Sequence, residues 1–455
     1  MPLWGAAMLD VNTVPMAVDL AVEIAGIRAP NPFWLASAPP TNSEAQVRRA
    51  FEAGWGGAVW KTINREPIVN VSARYGGIDV GGRKLVGMNN IELISDRPLA
   101  DNLAEIARTK RAHPGHALLV SLMEESRRDS WHDLVRRTQD AGADGVELNF
   151  GCPHGMSERG MGSAVGQVPE YAARITGWVK EVARVPVVVK LTPNVASVVP
   201  VGRAVVEAGA DALSLINTIN SIMGVDLDTL APRPSVAGAG SHGGYSGPAV
   251  KPIALQMVSS LAGDPAITVP IIGMGGIVAW QDAAEFLLLG ASAVQVCTAV
   301  MHHGFRVVDH LVDGLTGYLQ SKGVARVADL VGRSVPRVRT WGELDLNYKV
   351  VAQIDQAKCI GCGLCYAACE DGCHQAIRRE RAPIAVGLAP ARAATTTPHR
   401  YEVMVDACVG CNMCHLICPV AGCITMDEVD TGRPPMTWAQ RQARLAGGAE
   451  TPASA

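Results

Sequence analysis

The stretch Ala141-Gly142-Ala143-Asp144-Gly145-Val146-Glu147-Leu148-Asn149-Phe150-Gly151-Cys152-Pro153 closes a helix, runs through a short strand and breaks into a loop. Residues 133–141 carry helical spacing, and a glycine just past a helix end accepts the left-handed backbone that other residues resist. Residues 145–150 read as a short buried strand. It ends beside the carboxamide of Asn149, and the Gly- and Pro-rich loop beyond it carries one cysteine. The same helix-closing phrase recurs at Ala53-Gly54-Trp55, Ala208-Gly209-Ala210-Asp211 and Leu289-Gly290-Ala291-Ser292, each leading into an apolar strand.

Working outward, strands are expected at residues 33–38, 57–62, 117–123, 145–150, 185–191, 212–217, 269–273 and 293–299. Helices are expected at 43–53, 97–112, 133–141, 170–183, 198–208, 252–262, 281–289 and 307–320. Eight strand–helix units are what a (β/α)8 TIM barrel needs, typically over about 250 residues. A doubly wound open sheet uses the same units, and the count of eight favours the barrel. Residues 18–30 alternate like a strand pair and suit a hairpin under the barrel floor.

The 455 residues are 48% hydrophobic and 18% charged, with a formal net charge of -3. That balance gives no basic field for nucleic acid or an anionic membrane. No apolar run approaches the roughly 18 residues that span a bilayer. Residues 1–17 lack the basic and apolar regions of a secretion signal and are expected to be an N-terminal extension of a cytoplasmic protein. Twelve cysteines in a reducing compartment argue against disulfides. Only Cys152 and Cys297 precede residue 359, so two domains of different chemistry are expected. These are a barrel over 18–340 and a small α+β cysteine-rich domain over 341–430, followed by a flexible tail, 431–455.

Barrel chemistry sits at the C-terminal ends of the strands. The residues there are Lys61-Thr62, Asn149 with Cys152 beyond it, Lys190-Leu191-Thr192, Asn217-Thr218, Gly273-Met274-Gly275-Gly276 and Cys297-Thr298. Taken singly, each is a solvated strand end, and Cys152 is equally a small buried apolar residue. Together, two lysines favour an anionic ligand, and asparagines present a donor and an acceptor to a flat heterocycle. Gly243-Gly244-Tyr245-Ser246-Gly247 and Gly275-Gly276 each precede a helix, where backbone N–H groups cradle phosphate. A phosphorylated flat cofactor is implied, with FMN the natural candidate. Gly238-Ala239-Gly240-Ser241-His242-Gly243 matches a dinucleotide fingerprint, with Asp264 downstream. Its context fails, because Pro232-Arg233-Pro234 stands where a strand belongs and Asp264 opens a strand instead of closing one.

The cysteine-rich region repeats one spacing. Cys359-x2-Cys362-x2-Cys365-x3-Cys369 recurs as Cys408-x2-Cys411-x2-Cys414-x3-Cys418, the second followed by Pro419. This is the ligand run of a two-cluster ferredoxin, in which the fourth cysteine serves the other cluster. One [4Fe–4S] cluster is therefore assigned to Cys359, Cys362, Cys365 and Cys418, and the other to Cys408, Cys411, Cys414 and Cys369. Zinc is the poorer fit, because tetrahedral sites rarely space four cysteines so tightly. Glu370 stands where proline is usual, Cys373 and Cys423 are left to pack against clusters, and residues 377–401 read as an exposed insertion.

From about residue 18 to about 430 the chain resembles the dihydropyrimidine dehydrogenases, both the catalytic subunit of the bacterial NAD-dependent enzyme and the C-terminal half of the larger animal enzyme. The resemblance is carried by Ala36-Ser37-Ala38-Pro39-Pro40, Asn90-Ile91-Glu92-Leu93-Ile94-Ser95, the loop from Cys152-Pro153-His154-Gly155-Met156 through Gly162, Lys190-Leu191-Thr192-Pro193-Asn194 and the doubled cysteine run. It implies a dihydroorotate dehydrogenase-like barrel that reduces uracil or thymine through FMN. Cys152 would be the general acid/base on a mobile loop. Asn90, Asn149, Asn217 and Thr218 would hydrogen-bond the pyrimidine. Lys61 and Lys190 would contact the flavin, and Ser37, Gly244, Gly247, Gly275, Gly276, Cys297 and Thr298 would complete its site. Gly151 and Asn220 each replace a serine usual in the family. With no nucleotide fingerprint in the chain, NAD(P)H and FAD are expected on a partner flavoprotein subunit of a hetero-oligomer. The alternatives are a dihydroorotate dehydrogenase and a non-catalytic electron-transfer protein.

Overall fold

Phe33–Leu35, Gly57–Ile63, Ala117–Leu122, Gly145–Asn149, Val187–Lys190, Ala212–Leu215, Ile271–Met274 and Ala291–Val296 pair in parallel, each with the next, and the last closes on the first. The result is the eight-stranded barrel, and the competing open sheet is excluded. The computed structural model describes residues 16–77, 86–153, 155–381 and 399–446. The chain divides into two compact units, Val14–Val338 and one built on Arg339–Ala455. Among the described residues no helix is long and apolar enough to cross a membrane.

The strands are buried throughout, as parallel strands covered by helices must be. Helices such as Glu44–Ala53, Arg128–Asp140 and Val307–Ser321 turn one apolar face inward, placing Phe51, Trp131 and Leu311 in the core. Gly54, Gly142, Gly209 and Gly290 end their helices with positive φ, so the repeated helix-closing phrase has the conformation its glycine requires. Val22–Ile24 and Ile27–Ala29 form the expected antiparallel hairpin. Ile27 reaches the start of the fourth strand, where a Cβ on Gly145 would lie 2.9 Å from Ile27 Cδ1. The hairpin therefore caps the floor.

One layer is absent from the sequence reading. Ile219–Ser221, Gly243–Ser246, Met88–Asn90 and Tyr75–Gly77 form a four-stranded antiparallel sheet in that order. These strands belong to the connections after the second and sixth barrel strands, so the sheet stands at the catalytic end. Gly243-Gly244-Tyr245-Ser246 is thus a strand, and only Gly247 leads into the following helical turns.

Three further expectations need correction. Residues 377–401 are not simply an exposed insertion, because Ile377–Arg381 and His399–Val403 pair as strands and bury Ile377 and Tyr401. The part of that stretch at 382–398 lies outside the described residues. In the expected tail, Trp438–Ala446 is a helix, and the Trp438 ring lies 5.6 Å from that of Trp341. Two tryptophans and the buried Met436 give this polar segment something apolar to pack on. Asp264 opens no strand: it sits in the segment after the helix Lys251–Ala262, paired with Arg203. The rejected fingerprint at 238–243 runs through turns and into a strand, with no helix start to receive a pyrophosphate.

Candidate active site

The barrel's C-terminal mouth opens into a cleft of ≈ 1140 Å³, solvent at its entrance included, and the covering sheet forms part of its wall. Ser37, Lys61, Asn90, Asn149, Cys152, Lys190, Asn217, Thr218, Gly247, Gly275, Gly276, Cys297 and Thr298 all line it. Seven of the eight barrel strands or the loops just beyond them contribute. Gly244 does not line it. Its strand position leaves no room, since a Cβ there would meet Thr218 Oγ1 at 2.1 Å, and its carbonyl accepts from Asn90 Nδ2 at 3.3 Å. Gly244 holds two proposed substrate contacts in place instead of touching a phosphate.

A polar chain runs along the strand ends. Ser37 Oγ and Thr62 Oγ1 are 3.2 Å apart, Asn149 Nδ2 donates to Thr62 Oγ1 at 3.0 Å, and Asn217 Nδ2 donates to Asn149 Oδ1 at 2.9 Å. Asn217 Oδ1 accepts from the Thr218 N–H at 2.8 Å. Asn194, at the end of the Lys190 motif, accepts from the Asn220 N–H at 2.8 Å and donates to the Thr218 carbonyl at 3.2 Å. Partly buried amide chains of this kind fix side-chain direction before a ligand arrives.

Both cleft lysines are paired. Lys61 is bonded to Glu92, which also accepts from Tyr75 Oη and, at 3.2 Å, from Arg74 Nη1. Lys190 lies 3.5 Å from Glu147, a carboxylate with no solvent exposure that also accepts from Ser214 and Gln295. The expectation that the lysines favour an anion is therefore corrected, because the counter-charges are built in. Glu92, Tyr75, Gln295 and Ser246 line the cleft and were not singled out from the sequence. Glu92 stood within a motif already quoted, which was the available signal.

An anionic group would instead meet backbone. Gly247, Gly275 and Gly276 have φ of 107°, 125° and 76°. A Cβ on Gly276 would sit 3.0 Å from the Gly247 carbonyl and 2.8 Å from Lys251 Cβ. Thr298 begins a short helix beside them and donates to Ser246 at 3.1 Å. This close-packed cradle, which any side chain would fill, fits the phosphate end of FMN. Beneath it Gln295 carries a buried Oε1 without a partner among the described residues. Cys297, half-buried beside Thr298, has its thiol pushed up to about 11 by burial.

Cys152 is 8% exposed and packs with Ile94, Met123, Met156 and Met161. Its carbonyl accepts from the Ser163 N–H at 3.0 Å. Gly155, Gly160 and Gly162 all have positive φ, and a Cβ on Gly162 would meet the Cys152 carbonyl at 2.8 Å. The loop thus wraps tightly around the cysteine, while His154 lies outside the described residues.

In the smaller unit the two cysteine runs exchange their last members. One cavity is lined by Cys359, Cys362, Cys365 and Cys418, and another by Cys408, Cys411, Cys414 and Cys369. The repeats share their backbone: Gly361 and Gly410, then Gly363 and Asn412, all have positive φ at matching positions. The Ala376 N–H donates to Cys369 Sγ at 3.2 Å. Among the described residues no three His, Cys, Asp or Glu side chains converge to hold a single ion. Each cysteine set lines a cavity of its own, and the spacing of its members suits a cube-shaped cluster. The leftover Cys423 lines the first cavity and is buried.

Comparison with known proteins agrees with both units. The dihydroorotate dehydrogenase family matches residues 19–319, and a 4Fe-4S dicluster domain matches residues 352–426. The NAD-dependent dihydropyrimidine dehydrogenase subunit PreA of Escherichia coli is 39% identical over 412 residues, covering 90% of this chain and 96% of that one. The chloroplastic dihydropyrimidine dehydrogenase (NADP(+)) of Arabidopsis thaliana is 38% identical, over 75% of this chain and 82% of its own. The catalytic subunit of dihydroorotate dehydrogenase B (NAD(+)) of Pyrococcus abyssi is 37% identical, over 69% of this chain and 98% of its own.

Proposed function

The chain belongs to the dihydroorotate dehydrogenase family and, with both of its domains, to the dihydropyrimidine dehydrogenases within it, and we propose that it reduces uracil and thymine to their 5,6-dihydro forms. The observation that carries this is the convergence of Cys152, Asn90, Asn149, Asn217 and Thr218 on one cleft beside the glycine cradle. FMN bound there supplies a hydride, and the clusters supply single electrons.

The chain's own residues do the rest. The asparagines and Thr218 hold the pyrimidine by its amide edges, with directions set by the hydrogen-bonded chain between them. Cys152 would hold the proton that goes to C5 of the ring. A thiol can give the proton and later recover it. The loop that packs Cys152 against three methionines keeps water from that proton.

Cys152→Ala tests the assignment. Flavin content should be unchanged while uracil reduction falls by about 10²–10⁴. Full steady-state turnover in the variant would remove Cys152 from the role. Turnover of uracil against orotate with an artificial electron donor separates this reading from a dihydroorotate dehydrogenase, and turnover of neither would leave an electron-transfer protein.

The absence of a usable dinucleotide fingerprint supports a separate flavoprotein subunit, in the same cytoplasmic compartment, that carries FAD and oxidises NAD(P)H. The Escherichia coli relative is itself named as a subunit. NADH oxidation by the purified chain alone, at a rate matching uracil reduction, would refute this.

A further inference from the structure

Glu92 takes no part in the reaction described above, yet its carboxylate is only 6% exposed and sits in the cleft wall. Among the described residues it reaches side chains from three parts of the unit. Lys61 comes from the second barrel strand, Tyr75 from the edge of the covering sheet, and Arg74 from the segment just before it. Arg74 has a second carboxylate, Asp96, at 3.8 Å. The other lysine of the cleft, Lys190, has Glu147. Each lysine lining the cleft is therefore met by a carboxylate.

Among the described residues, a cleft so balanced offers donors and acceptors to a neutral ring but no unmatched cation to an anion. A carboxylate brought close to Lys61 also comes close to Glu92. At such short range, and away from bulk water, like charges repel strongly. Removing one member of a buried pair leaves the other seeking a counter-ion.

We propose that Glu92 sets the substrate class: by neutralising Lys61 it admits uncharged pyrimidines and turns away those bearing a ring carboxylate. The inference rests on the cleft being the pyrimidine site. It differs from a purely structural role for the ion pair, under which loss of Glu92 would weaken every ligand alike.

The test compares wild-type holoprotein with Glu92→Gln, Lys61→Gln and the double variant. Dissociation constants are measured by titration calorimetry for uracil, orotate and 5-carboxyuracil, the last two carrying the carboxylate at C6 and C5. Relative to uracil, Glu92→Gln should bind at least one carboxylated ring about tenfold or more tighter. That ligand should also raise the variant's Tm more than it raises the wild type's. The gain should vanish in the double variant. Lys61→Gln should move the ratio the opposite way, which keeps the test open if Glu92→Gln fails to fold. An unmoved ratio in both single variants, or a gain that survives in the double variant, overturns the proposal. Uracil turnover by the wild type is the control for the underlying reading. If the wild type reduces orotate and not uracil, both fall; if it reduces uracil and the ratios stay put, only the role of Glu92 falls.

Discussion

Asn217 donates through Nδ2 to Oδ1 of Asn149 at 2.9 Å, so the two carboxamides proposed to hold the pyrimidine orient each other. The backbone beneath them makes that possible. Gly151, which lacks the serine expected from the family, lies so close that a Cβ would fall 2.4 Å from Asn217 Cβ.

Gly151→Ser should therefore displace Asn217 and loosen Asn149 with it. Losing well-placed buried hydrogen bonds costs about 1–3 kcal/mol. The expected result is a higher KM for uracil with flavin content preserved. An unchanged KM would show that Asn217 moves without consequence.

Gly276→Ala strikes the cradle. The residue has φ of 76°, and its Cβ would press on the Gly247 carbonyl at 3.0 Å. The purified variant should carry substantially less FMN, read from the flavin-to-protein absorbance ratio, while Tm of the apoprotein falls by only a few degrees.

The exchange of cysteines gives a crossed phenotype. Cys369 belongs to the first run in sequence but lines the cavity of Cys408, Cys411 and Cys414. Cys369→Ser should thus damage the same cluster as Cys411→Ser and spare the one damaged by Cys362→Ser. Iron content and low-temperature EPR of the reduced proteins would sort the three variants into two groups.

For Cys297, burial pushes the thiol from an ordinary 9.0 to about 11, with the Lys190 ammonium acting against it. The folded protein thus keeps this proton where the unfolded chain has lost it. Stability contributed by the neutral thiol is untouched below pH 9 and drains away as pH rises from 9 towards 11. Iodoacetamide labelling of Cys297, followed by mass spectrometry, should stay slow at neutral pH. It should climb about tenfold per pH unit towards pH 11 in the folded state.

The barrel and the cluster domain were legible because their signals are local. A glycine past a helix end, as at Gly142, and a cysteine every third residue, as at Cys359 to Cys365, each report on backbone nearby. The covering sheet was not legible, because its strands are three or four residues long and built from Asn, Gly and Ser. Asn89-Asn90 and Gly244-Tyr245 form strands only because they pair with each other. Glu92 escaped for a related reason: a charge shows its role only once its partners are known, and Lys61 lies 31 residues away. In the same way the helix at Trp438 depends on Trp341, far back in the chain.

The hairpin of Val22–Ile24 and Ile27–Ala29 makes the barrel a blind well. With Ile24 and Ile27 buried under the strands and the interior filled by side chains, nothing passes out below. Traffic is then last in, first out. On the proposed assignment, a group held against the buried Lys190 and Gln295 enters before a pyrimidine at Asn90 and Cys152, and leaves after it. A bound pyrimidine is in that sense a stopper, and saturating uracil should slow the escape of whatever lies beneath it.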